Sequence, residues 1–187
     1  MYYYLTDEKY AGFSQVTYGI MRTLEFAGIF VGAAAFALCL KNLSFKTHMI
    51  ISSFIHLAES LGNLAFLNGI YFGLPPAVFY GIVMFFGDSF LQAFVHMPTM
   101  ALVAKMIPAS IESALFAFFT GLGNLNTHFL AKILGNLINL YFQVDKENME
   151  GVSKLYTVQA VCALIPLAFI WMLPNAGDVQ AVQDMIK

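Results

Sequence analysis

The chain has 187 residues, of which 59% are hydrophobic and only 11% are charged, and its net charge is −2. Soluble domains carry about 25% charged residues, so this composition excludes an ordinary water-soluble domain and indicates a membrane protein. Positive charge is not in excess, so no binding to nucleic acid is expected.

Apolar stretches separated by short polar breaks predict an all-α, multi-pass membrane protein with about five transmembrane helices. Their expected bounds in chain order are 13–40, 47–70, 77–105, 111–142 and 155–173. A helix needs about 20 residues to cross the hydrocarbon core of a bilayer. We expect residues 1–12, rich in tyrosine, to form an interfacial segment, residues 13–174 to form the five-helix bundle, and residues 175–187 to form a short polar tail.

Five crossings put the two ends of the chain on opposite sides of the membrane, with the loops 71–76 and 143–154 on the side of residue 1. Lysine and arginine are divided almost evenly between the two sides, so the sequence does not decide the orientation. The first residues lack the basic start and cleavage site of a targeting peptide. An organelle inner membrane, mitochondrial or plastid, therefore stays open as the location.

The second span carries a stripe of polar residues at helical spacing. His56, Glu59 and Asn63 step by three and four residues, and Ser52 lies one turn earlier, so all four share one face. An ionised carboxylate near the middle of a bilayer costs roughly 2.5–3.5 kcal/mol even on the lenient insertion scale. This face must therefore look into protein or water.

Three other spans repeat this pattern. The carboxylates of Glu25, Glu59 and Asp88 lie at similar depth on three of the spans and are expected to meet. The stripes favour a hydrated cavity that binds a polar solute, or a proton relay of carboxylate–histidine pairs. Polar contacts that only hold the helices together are the alternative. The candidate residues of the stripes are Arg22, Glu25, His56, Glu59, Asn63, Asp88, Gln92, His96, Asn124 and His128.

Two further features concern packing rather than chemistry. Gly28 and Gly32 form a small-residue pair that permits close helix approach, and we expect a partner chain to pack there. The fifth span has Gln159 as its one strongly polar residue, so lipid or a partner helix is expected along it.

Motifs of common enzyme classes are missing from the sequence, so no catalytic activity, metal or cofactor is expected. His56 and Glu59 could contribute to a metal site because they lie at i and i+3. Of the other histidines, His96 and His128 lie in other spans and His48 lies eight residues before His56, which makes a metalloenzyme a poor interpretation.

The segment from Met97 onwards resembles the folate–biopterin transporter family, a branch of the major facilitator superfamily. A helix bearing a proline leads into a Pro-and-Glu loop, and the next helix contains an asparagine and then a glycine. The residues that match this motif are Pro98, Pro108, Glu112, Asn124 and Gly135, and Gly87-Asp88 matches a pair in the preceding helix. Ile107, where the family usually has cysteine, and the charged Lys132 depart from the pattern.

The resemblance implies a bundle like the C-terminal half of a twelve-helix transporter, in which this chain covers about the last five helices. The interpretation that the missing first bundle favours is a non-transporting accessory subunit of a larger membrane complex. The other is half of a split or oligomeric carrier for folate, pterin or a related organic anion. The partners expected from these interpretations are the lipid bilayer, other membrane-protein subunits and such an anion.

Overall fold

The computed structural model describes residues 1–40, 43–87, 90, 91, 97, 100, 104, 111–173 and 175. The regular elements in these residues are helical. They comprise α1 (Tyr2–Thr6), α2 (Gln15–Ala35), α3 (Phe45–Leu67), α4 (Pro76–Phe85), α5 (Glu112–Asn124), α6 (Ala131–Tyr141), α7 (Val152–Cys162) and α8 (Ile165–Ala168). Wide π-helical turns continue α2 over Phe36–Leu40 and join α5 to α6 over Leu125–Leu130, and a 3₁₀ turn covers Ile170–Met172.

Three helical stretches of the described residues are long and apolar enough to cross a membrane. They are Gln15–Leu38, Phe45–Leu67 and Val152–Met172, and the shorter Pro76–Phe85 is apolar as well. These stretches match the predicted first, second and fifth spans and the start of the third, and α5 to α6 matches the predicted fourth. The all-α membrane bundle predicted from the sequence is confirmed.

Local signals fix where the long helices begin and end. The side chains of Ser14 and Ser44 each accept a hydrogen bond of 3.1 Å from the backbone N–H three residues later, which caps α2 and α3. After α3, Gly69 takes a positive φ of 71° and Ile70 N–H donates to the Ala65 carbonyl at 2.8 Å. This is the Schellman arrangement that ends a helix.

The two ends of the bundle are tied by contacts between distant parts of the chain. At one end the backbone N–H of Met149 donates to the hydroxyl of Tyr10 at 3.1 Å. At the other end Lys46 Nζ lies 2.8 Å from Asn175 Oδ1. Residues 1–13 and the loop after α6 therefore share one end of the bundle, and residue 175 lies at the opposite end.

The helices pack in a fixed set of pairs, with α3 against α7, α2 against α4, and α3 against α4. A core cluster of Leu5, Met21, Phe66, Phe79 and Tyr80 fills the end of the bundle near α1.

The fifth span is partly covered by another helix of the bundle rather than only by lipid. Val152 and Ala160 of α7 are buried, in the helix that packs against α3.

The small-residue pair of α2 also packs differently from the sequence-based expectation. A methyl group on Gly28 would lie 2.3 Å from the backbone carbonyl oxygen of Phe85, and Gly32 is buried. The close approach at Gly28 is thus made by α4 of the same chain, whereas the sequence analysis placed a partner chain there.

The helix from Glu112 to Tyr141 stands apart from the other described elements. None of its residues is buried by the part of the chain that the structure describes. It is the most exposed of the long helical stretches in that part.

Candidate functional site: a polar cavity between four helices

A cavity of about 150 Å³ lies among α2, α3, α4 and α7, with α1 at one end. Most of its exposed lining is polar, although the surrounding helices are apolar. Charged and amide side chains on its wall are Arg22, Glu25, Glu59 and Asn63, and the aromatic side chains are Tyr2, Tyr18, Tyr80 and Tyr156.

Helix α2 supplies an ion pair to this cavity. Arg22 and Glu25 are one turn apart, and Arg22 Nη1 donates a hydrogen bond to Glu25 Oε2. The guanidinium also lies 5.4 Å from the centre of the Phe26 ring, within the range of a cation–π contact. Pairing neutralises two charges that would each be costly inside a membrane.

Helix α3 supplies a carboxylate and an amide on one face. Asn63 is only 3% exposed, and its Nδ2 donates to the backbone carbonyl of Glu59 at 3.1 Å. Its Oδ1 is buried and has no hydrogen-bond partner among the described residues. Buried polar atoms in native proteins are nearly always hydrogen-bonded, so this oxygen marks a place where a ligand or water is expected.

The carboxylate of Glu59 lies between the cavity and the outside of the bundle. Its Oε2 is 3.3 Å from Nδ1 of His56, whose side chain is 41% exposed, whereas the Glu59 side chain is 9% exposed. His56 itself does not line the cavity. The pair therefore extends from the cavity to the surface of α3.

Helix α4 leaves room for this carboxylate because a glycine follows it. A methyl group on Gly87 would lie 3.3 Å from Glu59 Oε1, tighter than an ordinary van der Waals contact. Gly87 also lines the cavity. Any larger residue at this position would press on the Glu59 carboxylate.

Apolar grooves run along both flanks of α4. One of about 360 Å³ lies between α2 and α4, and another of about 630 Å³ lies between α3 and α4. Glu59 is the one charged residue on the wall of the second groove, among its described lining.

The structure brings together four of the residues that the stripes single out, namely Arg22, Glu25, Glu59 and Asn63. Asp88, Gln92, His96, Pro98 and Pro108 lie outside the described residues. Glu112 is exposed in the first turn of α5, and open space surrounds the position that a side chain would occupy at Gly135.

Asn124 and His128 do not reach this cavity, because both are exposed on the helix that stands apart. Steps of four residues exceed the 3.6 residues of an α-helical turn, so a stripe of this period drifts around the helix. The π-helical turns over Leu125–Leu130 hold more residues per turn. They reduce the drift and keep Asn124, His128 and Lys132 closer to one face.

The sequence analysis gave no sign of Tyr80 and Tyr156, which are among the tyrosines of the cavity. Tyr80 is 4% exposed, and Tyr156 comes from the span that we expected to be nearly free of polar groups. A tyrosine inside an apolar span is a weak indication of a polar cavity. Its hydroxyl can find a hydrogen-bond partner in ordinary helix packing as well as in a cavity.

The arrangement offers hydrogen-bond acceptors, one guanidinium and several aromatic rings around a small, partly open cavity. It can bind a proton, water or a small polar ring. Among the described residues, no three histidine, cysteine or acidic side chains converge as metal ligands.

The fold and the cavity define a multi-pass helical membrane protein with a polar interior. A model of the BT1 family matches residues 1–186, so the chain belongs to the BT1 family. This finding confirms the family resemblance noted in the sequence, and the chain is a transporter-like integral membrane protein.

Two relatives carry transporter names. The chain is 24% identical over 181 residues to "Probable folate-biopterin transporter 2" of Arabidopsis thaliana, a match that covers 95% of this chain and 36% of the relative. It is 27% identical over 192 residues to "Folate-biopterin transporter" of a Synechocystis species, covering 96% of this chain and 36% of the relative. The chain thus spans about a third of the length of these relatives. No solved structure matches it significantly.

Proposed function

We propose that this chain is one component of a membrane carrier for a folate- or pterin-like organic anion. The supporting observation is that Arg22, Glu25 and Glu59 line one cavity inside the bundle. Ionisable groups at membrane depth that face a cavity are typical of solute and proton pathways.

The charges of the cavity fit a role in transport. The ion pair between Arg22 and Glu25 is internally balanced, which leaves Glu59, beside His56, as a group that can gain or lose a proton. A carboxylate next to a histidine is a common proton-relay pair, because histidine changes charge near neutral pH. The cavity can therefore serve a transported proton, a polar solute or both.

The size of the cavity limits what this chain can bind by itself. About 150 Å³ is smaller than the roughly 300–1,000 Å³ of a typical small-molecule site. A molecule as long as folate would extend beyond this space, so other surfaces must complete its site. Transporters of this kind commonly hold substrate between two bundles that rock against each other.

The second candidate is the accessory subunit of a larger membrane complex. The exposed helix from Glu112 to Tyr141 favours it, because this helix carries polar residues that its described neighbours do not bury. A polar group that faces hydrocarbon without a partner costs several kcal/mol. A neighbouring subunit that packs along this helix would remove that cost.

Uptake measurements on the purified protein distinguish the two roles. The chain, with whatever membrane proteins co-purify in mild detergent, is reconstituted into liposomes and offered radiolabelled biopterin. A carrier component gives saturable uptake above that of empty liposomes. Folded, partner-bound protein without any uptake supports the accessory role, and the native mass in detergent reports whether a partner is bound.

A further inference from the structure

The amide of Asn63 is the starting point for a more specific inference about the same cavity. Its Oδ1 is buried without a partner among the described residues, and the residue lines the cavity. A buried acceptor of this kind favours a ligand that brings a hydrogen-bond donor, because leaving it unpaired is costly.

A second acceptor lies one helical turn away on the same wall. Glu59 precedes Asn63 by four residues on α3, and both side chains line the cavity. A ligand that satisfies this wall must present at least two N–H donors on one edge. Such an edge occurs where an amino group stands beside a ring N–H.

Aromatic side chains form part of the remaining wall, and the space is small. Tyr18, Tyr80 and Tyr156 come from three different helices and line the same cavity. Their rings offer faces and edges for stacking on a planar ring. An engineered cavity of about 150 Å³ in another protein holds one benzene ring, so this cavity has room for a single six-membered ring.

We infer that the Glu59–Asn63 wall recognises the 2-amino-4-oxopyrimidine edge that pterins and folates share, with the tyrosine rings stacked around it. Oε1 of Glu59 accepts from the 2-amino group while Oε2 stays beside His56, and the Asn63 oxygen accepts from the other amino hydrogen. This inference rests on the proposed function and deepens it, since it names the part of the substrate that this chain reads.

A matched pair of ligands tests the inference. Pterin and lumazine share the bicyclic ring, but lumazine carries an oxo group where pterin has the 2-amino group. Binding of each to the purified full chain in detergent is measured by equilibrium dialysis. Pterin is expected to bind about tenfold more tightly or better, because lumazine would place an acceptor against the carboxylate.

Variants of Glu59 and Asn63 test whether the Glu59–Asn63 wall causes the preference for pterin over lumazine. Glu59→Gln should shrink the preference or reverse it, since its amide N–H can donate to the oxo group of lumazine. Asn63→Leu should also weaken pterin binding, and it provides a second readout where Glu59→Gln does not fold. Glu150→Gln makes the same chemical change in an exposed loop and should keep the full preference.

The outcomes separate this inference from the proposed function. Pterin preference without uptake keeps the inference and contradicts the carrier role. Uptake with equal binding of pterin and lumazine overturns the inference and keeps the carrier role. Binding of neither ligand to a folded chain, or a preference unchanged in both wall variants, also overturns the inference and leaves water as the partner of Asn63.

Discussion

Gly28 sets the distance between two membrane helices. A Cβ atom at residue 28 would collide with the backbone oxygen of Phe85, because the two atoms would be only 2.3 Å apart. Backbone atoms cannot move aside as the end of a flexible side chain can. Helices α2 and α4 can therefore keep their packing only with glycine at this position.

Gly28→Ala should destabilise the bundle by about 1–3 kcal/mol, the usual cost of overpacking. The added methyl group must push α4 away from α2, which also disturbs the cavity between them. The midpoint of thermal unfolding in detergent, followed by circular dichroism, measures the effect.

Gly19→Ala is the matched control for this change. Gly19 lies in the same helix, and open space surrounds the position of its missing Cβ. Alanine should be neutral there or stabilise by about 0.5–1 kcal/mol, since glycine is a poor residue inside a helix. Equal loss of stability in both variants would show that the close approach at Gly28 does not determine the stability of the bundle.

The short helix α1 packs into the core of the bundle. Leu5 is 1% exposed within the core cluster. Leu5→Ala should lower the free energy of unfolding by about 2–5 kcal/mol, as other buried leucine truncations do. The same change at Leu38, which is 79% exposed, should have little effect in the same unfolding assay. An equally small loss at both positions would mean that α1 does not pack as the structure has it.

Tyr4 of α1 also gives the fold a dependence on alkaline pH. Burial raises the pKa of Tyr4 above its ordinary value of 10.0, and the neighbouring Tyr71 and Tyr10 raise it further. Because the pKa of Tyr4 is higher in the folded chain than in the unfolded chain, its neutral phenol contributes to stability. This contribution is complete below pH 10 and is lost as the pH rises through the folded-state pKa.

Tyr4→Phe should therefore flatten the loss of stability above pH 10 while it keeps most of the ring packing against Phe66. Chemical unfolding at a series of pH values from 8 upward measures this. Identical pH profiles for the wild type and the variant would contradict the role of this phenol.

At the scale of elements, the sequence predicts the spans well and their ends less well. The apolar run suggests a second span of 47–70, whereas α3 covers Phe45–Leu67. The difference arises because Ser44 caps the start and Gly69 ends the helix, and both signals are local rather than hydropathic. The packing of α1 could not be predicted, because five residues carry too little pattern to indicate which surface they contact.

The cavity was predictable only where polar residues interrupt an apolar span. Arg22, Glu25, Glu59 and Asn63 stand out in this way, and the structure brings them to one cavity. Tyr156 does not stand out, because tyrosine fits both a lipid interface and a helix contact. The helix pairs depend on packing between distant segments, which no single stretch of sequence contains.

At the scale of the whole molecule, the bundle surrounds charged groups with apolar helices. The outward surface of α2 is rich in exposed apolar residues such as Ile20 and Phe30, as lipid contact requires. Glu25 and Glu59 lie on the inner side at the cavity, and Arg22, whose side chain is 43% exposed, reaches from the cavity wall towards the surface of α2. This division is what a pathway for a polar solute through a membrane needs.

Uptake of radiolabelled biopterin by proteoliposomes containing Glu59→Gln tests the central claim most directly. The variant keeps the size of the side chain and its ability to accept a hydrogen bond but removes the titratable carboxylate. The account predicts that uptake falls to the level of empty liposomes, while Glu150→Gln, in an exposed loop, transports as the wild type does. Wild-type uptake by a correctly folded Glu59→Gln protein would contradict the claim that this cavity carries the transport function.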